Sequence, residues 1–461
     1  MNWPPSASQS AGRPPDHVHG RAVADHRHRQ RRCHGRGLRA VAHHQPDAAG
    51  RRGGGGRFRH SRPRRHLRRR EGRTRDGRRD PGLSHRGSGR RSGLMLPFES
   101  SLSITLHLAE DRVETVEIGS SRPVQASDRL TGRRPDQVLA LLPNLYSLCG
   151  TAQGLAGLAA VENAVGIDAA PEQHKARRIL CLIEMAAEHA AAALRDWPAL
   201  LGEAPDLVAL KPIRPLIMAV RKALYPEGDW LAPGGGRLAP DRETLTGIVH
   251  RLGEAASRGD LVADRLLARV EDLGMEGFGA APPNLMPETG PPDLDARLAA
   301  DDDGAYRTRP DSAGIVFETG PLARQSRRPL MGLLMSQYGN GLMPRFSARM
   351  MEMASALREV EDLVQDLSGD SGGLPMARHD GSGLGVVDAA RGLLAHRVEL
   401  REGLLSAYRI LAPTEWNFHP DGPLAQGLRG MSGPDPEGRA ALLAASLDPC
   451  VPFRIEVVPH A

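Results

Sequence analysis

With 461 residues the chain is long enough for two or three domains, and a net charge of +6 would ordinarily point to a polyanionic partner. That charge is not shared: residues 1–94 hold about 25 Arg, no Lys and about 6 acids, while the rest carries about 36 basic against 49 acidic groups, roughly −13. No run of about 18 apolar residues predicts a membrane span, the N-terminus lacks the apolar segment of a signal peptide, and four widely spaced cysteines (Cys33, Cys149, Cys181, Cys450) make no disulfide framework.

In chain order, residues 1–94 come first. They have almost no apolar periodicity and cannot bury enough surface to offset chain entropy, so they read as disordered. Three readings compete. A nucleic-acid arm would set Arg against phosphate, but aromatics for base stacking are nearly absent. A metal-storage tract would use the segment's His residues, but their spacing is irregular. Arg, Gly, Pro, His and Ala without Lys is also what GC-rich DNA gives in the wrong frame. We take this last reading, with a mis-assigned start and Met95 as the true one, and expect no nucleic-acid partner.

From there the sequence reads as folded, over 95–461. Ser101-Leu102-Ser103-Ile104-Thr105-Leu106-His107-Leu108 alternates apolar and polar residues, and with 113–118 it predicts a hairpin. Pro135 suits the first turn of a helix, whose apolar set Val138, Leu141, Leu142, Leu145 and Leu148 runs on at three- and four-residue steps, with a kink at Pro143. Cys149-Gly150 closes it, and a helix resumes around Leu155. Further helices are predicted over 171–197, 207–224 and 243–273. Two loop-rich breaks follow the same logic of Pro and Gly content, at 232–236 and at about 277–313. The first is no P-loop, because no Gly-Lys-Ser/Thr follows it. A strand is predicted at 314–318 and a long helix at 344–367, whose Met350, Met353, Leu357, Val360 and Val364 form a stripe read as core packing. After a Gly-rich turn, strands are predicted at 393–400 and 404–410. No internal repeat is present.

Two cysteine segments carry the chemistry. They are Leu148-Cys149-Gly150-Thr151-Ala152 and Asp448-Pro449-Cys450-Val451-Pro452-Phe453. A cysteine on an apolar background is ordinarily a small buried hydrophobe, and Cys181 is assigned to that role. Gly150, however, removes a side chain beside Cys149 and permits close backbone approach. Asp448-Pro449 fixes the chain before Cys450 and supplies a carboxylate.

Most of 101–461 resembles the large subunits of [NiFe]-hydrogenases. The two cysteine segments match that family's CGxC and DPCxxC. Between them, in the family's order, come Leu130-Thr131-Gly132-Arg133-Arg134-Pro135-Asp136, Val161-Glu162-Asn163-Ala164, Phe317-Glu318-Thr319-Gly320-Pro321-Leu322-Ala323-Arg324, Ala390-Arg391-Gly392-Leu393-Leu394-Ala395-His396 and Pro413-Thr414-Glu415-Trp416-Asn417. Each cysteine segment keeps its first cysteine and lacks its second, replaced by Ala152 and Phe453. This resembles the HupK/HoxV-type accessory proteins.

The resemblance implies an α+β, shortened large-subunit-like fold with a mainly helical core and small N- and C-terminal β elements. It implies that the retained cysteines match terminal positions and the missing ones match bridging positions. No stable Ni–Fe centre is then expected, and the chain is not expected to be an enzyme; a degenerate hydrogenase is the least favoured reading. The widely spaced cysteines fit a reducing cytoplasm, and the role the resemblance implies is maturation: Cys149 and Cys450 transiently carry an Fe(CN)2(CO) group, with Arg391 toward its diatomic ligands and Asp448 and Gly150 in support. The expected partners are the large-subunit precursor and other maturation proteins, with no insertion into membrane. The alternative is a metal-free docking chaperone. The family's RIEGH segment is replaced by Ile104-Thr105-Leu106-His107-Leu108, and Glu456 stands where large subunits have the histidine at their cleavage site, so no C-terminal processing is expected.

Overall fold

The computed structural model describes residues 100–146, 148–373 and 380–459. The basic segment 1–94 and Met95 lie outside the described residues.

The predicted hairpin forms as β1 (Leu102–Ala109) and β2 (Arg112–Ser120), paired antiparallel. Leu102, Ile104 and Leu106 alternate inward and are fully buried. The partner on the other side comes from the far end of the sequence: β6 (Phe453–Pro459) lies parallel to β1, giving the order β2-β1-β6. A second sheet, β3-β4-β5, is an antiparallel meander of Gly381–Ala389, Gly392–Arg401 and Leu404–Leu411.

Helices fill the rest. A 3-10 turn (Val124–Leu130) leads to α1 (Pro135–Leu145), α2 (Gly150–Val165), α3 (Pro171–Arg195) and the short α4 (Trp197–Leu200) and α5 (Leu207–Leu210). Then come α6 (Ile213–Leu224), α7 (Arg242–Asp272), α8 (Leu294–Ala299), α9 (Ala305–Thr308), α10 (Pro321–Gln325), α11 (Pro329–Tyr338) and α12 (Leu342–Asp366). The last are α13 (Pro413–Asn417), α14 (Pro423–Leu428) and α15 (Pro436–Leu447). Starts are marked by residues suited to them: Pro171 opens α3, and the Asp241 carboxylate accepts from Thr244 N at 3.0 Å to cap α7.

One core gathers α1, α2, α3, α6 and α7 with α12 and the second sheet. Another gathers β1, β2 and β6 with α14, α15 and the far ends of α7 and α12. The Met stripe of α12 is packing, with Met353, Val360 and Val364 buried. Cys181 is buried in the first core. No helix among the described residues is long and apolar enough to cross a membrane.

Five sequence expectations need correction. Cys149-Gly150 does not close α1; α1 ends at Leu145 and Cys149 is the residue that caps the start of α2. The predicted helix 207–224 is two helices, because Pro212 cannot donate a backbone hydrogen bond and α6 restarts after it. The predicted strand at 314–318 is absent: Ala313 and Gly314 both take positive φ in a tight turn that Ile315 closes on Ser312, and Glu318 makes an isolated bridge through Asn284 O and Met286 N. The stretch read as a Gly-rich turn before 393 contains β3. The break at 277–313 also carries α8 and α9, pinned by the buried Arg307 on Asp301 and Asp128.

Candidate functional site: a two-cysteine cavity

Two chain turns meet here. The first is the start of α2. Gly150 follows Cys149 at the point where α2 passes the end of α1; a Cβ at 150 would sit 2.6 Å from Pro143 O, so no side chain fits. From α3, the Glu184 carboxylate accepts from the backbone N–H groups of Thr151 (2.7 Å) and Ala152 (2.9 Å). These are free donors of a helix N-terminus, and an anion satisfies them. Burial nevertheless raises the Glu184 carboxyl above its ordinary range, against those hydrogen bonds.

The second is the turn from α15 to β6. Asp448 ends α15 in the left-handed region at φ 53°, a conformation that Asp tolerates better than most residues. Its buried carboxylate accepts from Arg349 Nη1 at 2.6 Å and lies 3.3 Å from Arg391 Nε. Burial opposes its ionisation, but Arg391 and Arg349 outweigh that and hold the carboxyl below its usual range. Arg391, in the β3–β4 turn, also donates from Nη1 to Glu188 at 3.1 Å. Its buried Nε makes no hydrogen bond, since the approach to Asp448 is an ion pair of unsuitable angle.

Cys149 and Cys450 line one cavity of about 40 Å³, together with Arg122, Tyr146, Gln153 and Arg391. Gln153 Nε2 donates to Cys149 Sγ at 3.6 Å and its Oε1 meets His396 Nε2 at 2.9 Å, whose Nδ1 meets the Tyr408 hydroxyl at 2.9 Å. Thr414 Oγ1 lies 3.1 Å from Cys450 Sγ. Arg122 Nη1 donates to Cys450 Sγ, and its Nε lies 2.9 Å from Glu415 Oε1. Burial pushes the Cys149 thiol up to about 12, aided by the Cys450 sulfur and Glu184 and opposed by Gln153 and Arg391.

The two positions without a second cysteine are taken by packing. Ala152 is buried in the first turn of α2, and Phe453 opens β6 opposite Leu102 and packs on the second core. Among the described residues no three His, Cys, Asp or Glu side chains converge as a metal-binding group. The donor set is therefore two soft thiols, which suit a soft or low-valent metal, beside the buried guanidinium of Arg391.

The profile of the family described as nickel-dependent hydrogenase matches residues 331–452, which include Arg391, Asp448 and Cys450. The hydrogenase expression/formation protein HupV of Azotobacter chroococcum is 31% identical over 370 residues, covering 78% of this chain and 99% of that protein. HoxV of Cupriavidus necator, with the same description, is 32% identical over 370 residues, covering 74% and 92%. The chain belongs to the HupK/HupV/HoxV family of hydrogenase expression/formation proteins.

This HupK-family chain also has the fold of a hydrogenase large subunit. The [NiFeSe] hydrogenase of Desulfovibrio vulgaris Hildenborough aligns with a TM-score of 0.59 at 17% identity, over 74% of this chain and 94% of that one. That of Desulfomicrobium baculatum aligns with a TM-score of 0.58 at 15% identity, over 75% and 95%. Such identities speak for the fold alone.

Of the residues singled out from the sequence of this HupK-family protein, Cys149, Cys450 and Arg391 line the cavity, and Asp448 touches Arg391. Gly150 serves the approach of α2 to α1. Sequence reasoning missed Arg122, Gln153, Glu184 and Tyr146 as neighbours of the site. Gln153, one helical turn after Cys149, was findable from spacing alone; Arg122 and Glu184 carry no local signal.

Proposed function

We propose that this HupK-family protein is an accessory factor in the maturation of a [NiFe]-hydrogenase, and that Cys149 and Cys450 transiently carry an Fe(CN)2(CO) group for transfer to a large-subunit precursor. The observation that carries the reading is the meeting of the two retained thiols in one cavity, whose wall includes the buried Arg391 guanidinium held by Glu188 and Asp448. Guanidinium N–H groups are fixed donors that suit the nitrogen ends of cyanide ligands. The names of the relatives support hydrogenase formation as the setting, with the precursor and the other maturation proteins as partners.

Two thiolates hold a metal less firmly than four, which suits a donor that must release its cargo. The protein's own part is to supply two sulfurs, to place donors around them and to fill the other two positions with Ala152 and Phe453.

A metal-free docking chaperone is the second reading, favoured by the contact of Arg122 with Cys450. Cells carrying Cys149→Ala or Cys450→Ala separate the two. A carrier loses hydrogenase activity in either variant while the protein still accumulates; a docking protein keeps it in both.

A further inference from the structure

The N-terminal sheet brings Arg122 to Cys450. Leu102 of β1 pairs with Ser120 of β2 and with Phe453 of β6. Arg122, two residues beyond that row, and Cys450, three residues before it, therefore leave the sheet at the same end. The Arg122 guanidinium spans the gap, with Nη1 on Cys450 Sγ and Nε on Glu415, both side chains of the Arg122–Glu415 pair being largely buried. Thr414 supplies a further contact to the same sulfur.

We propose that Arg122 guards the cysteine pair: its guanidinium covers Cys450 Sγ while the site is empty, and a metal must displace it to be held between Cys450 and Cys149. The proposal rests on the reading of these two cysteines as a ligand pair. A sulfur lone pair engaged by a donor is not free for a metal, and a fixed cation repels a second one at short range. Arg391, paired with Glu188 and Asp448, completes the cavity wall and leaves Arg122 as the guanidinium on the sulfur. Glu415 holds the Arg122 Nε edge, so the displaced guanidinium stays beside the sulfur and its return accompanies release.

The test uses the full chain, reduced and free of oxygen, titrated with cadmium ion and followed by thiolate-to-metal charge-transfer absorbance. Signal that survives in the Cys149→Ala/Cys450→Ala double variant belongs to other cysteines and is subtracted. Arg122→Gln is expected to bind cadmium roughly tenfold to a hundredfold more tightly than the unaltered chain, the scale of a hydrogen bond to a charged group. Arg122→Lys keeps the charge and loses the fork, so its gain is smaller. Unchanged or weaker binding in both variants overturns the proposal and leaves Arg122 a structural residue; should Arg122→Gln fail to fold, Arg122→Lys decides by the same criterion. If cyanide and carbonyl bands are absent from the purified protein, the carrier reading fails while the cadmium result stands.

Discussion

At the scale of single residues, His396 shows how the surroundings of Cys149 are set by burial. It is fully enclosed, bonded to Gln153 and Tyr408, and burial lowers its pKa to about 3 from an ordinary 6.5. The folded state therefore holds His396 neutral, while the unfolded chain takes up a proton as soon as pH falls below 6.5. The stability that neutral His396 secures is fully present above pH 6.5 and drains away as pH falls toward 3. Between pH 7 and pH 5 the loss from this residue comes to about 2 kcal/mol. Urea unfolding at the two pH values measures it: His396→Gln should lose about that much less than the unaltered chain. His189 and His419, whose pKa values burial also lowers, remain in both proteins and cancel in the comparison. Equal losses in the two proteins would show that His396 is not the sensitive group. At this scale the sequence was legible for the two cysteines, Arg391 and Asp448, because each sits in a short segment of recognisable order. Arg122 was not legible, because it reaches Cys450 across 328 positions of sequence through strand pairing that no local pattern records.

At the scale of elements, α2 and β3 pack tightly against each other. Gly381, Gly383 and Gly385 occupy one face of β3, and a Cβ on any of them would collide with the α2 backbone at Ala164, Ala160 or Ala156 respectively. The two periods match, two along the strand and four along the helix, so a bare strand face lies directly on a helix of small residues. Gly383→Ala should destabilise the protein by about 1–3 kcal/mol through overpacking. Gly247→Ala, on the exposed side of α7 where a Cβ meets open space, should stabilise it by up to about 1 kcal/mol through helix propensity. Chemical denaturation of the pair checks both signs; a neutral Gly383→Ala would mean that α2 and β3 are not held this tightly. The same glycines explain why β3 was read as a turn: local chemistry favours a turn, and the strand exists because α2 demands it. The long helices were legible, since a buried stripe repeats over many turns in α3, α7 and α12. The error at 207–224 came from weighing the apolar pattern above Pro212, and that at 314–318 from a strand-like composition whose backbone makes only isolated bridges, at Ile315 and Glu318.

At the scale of the whole molecule, the ends of the described chain close on each other. β6 enters the sheet beside β1 and leads directly out of the turn that holds Cys450, while α2 and Cys149 follow soon after β1 and β2. The large-subunit-like α+β fold was legible in the sequence through the order of its segments, and the corresponding structures align over most of the chain. What the order of segments did not carry is the way the two vacated cysteine positions are used: Ala152 completes the start of α2 and Phe453 starts β6, so each is committed to packing. The central claim is that the remaining pair carries iron with its cyanide and carbonyl ligands. Infrared spectroscopy tests it most directly, on protein purified without oxygen from cells expressing the hydrogenase. The account predicts cyanide and carbonyl bands in the unaltered chain that vanish in Cys149→Ala and in Cys450→Ala. A protein free of such bands that still captures the large-subunit precursor would contradict it.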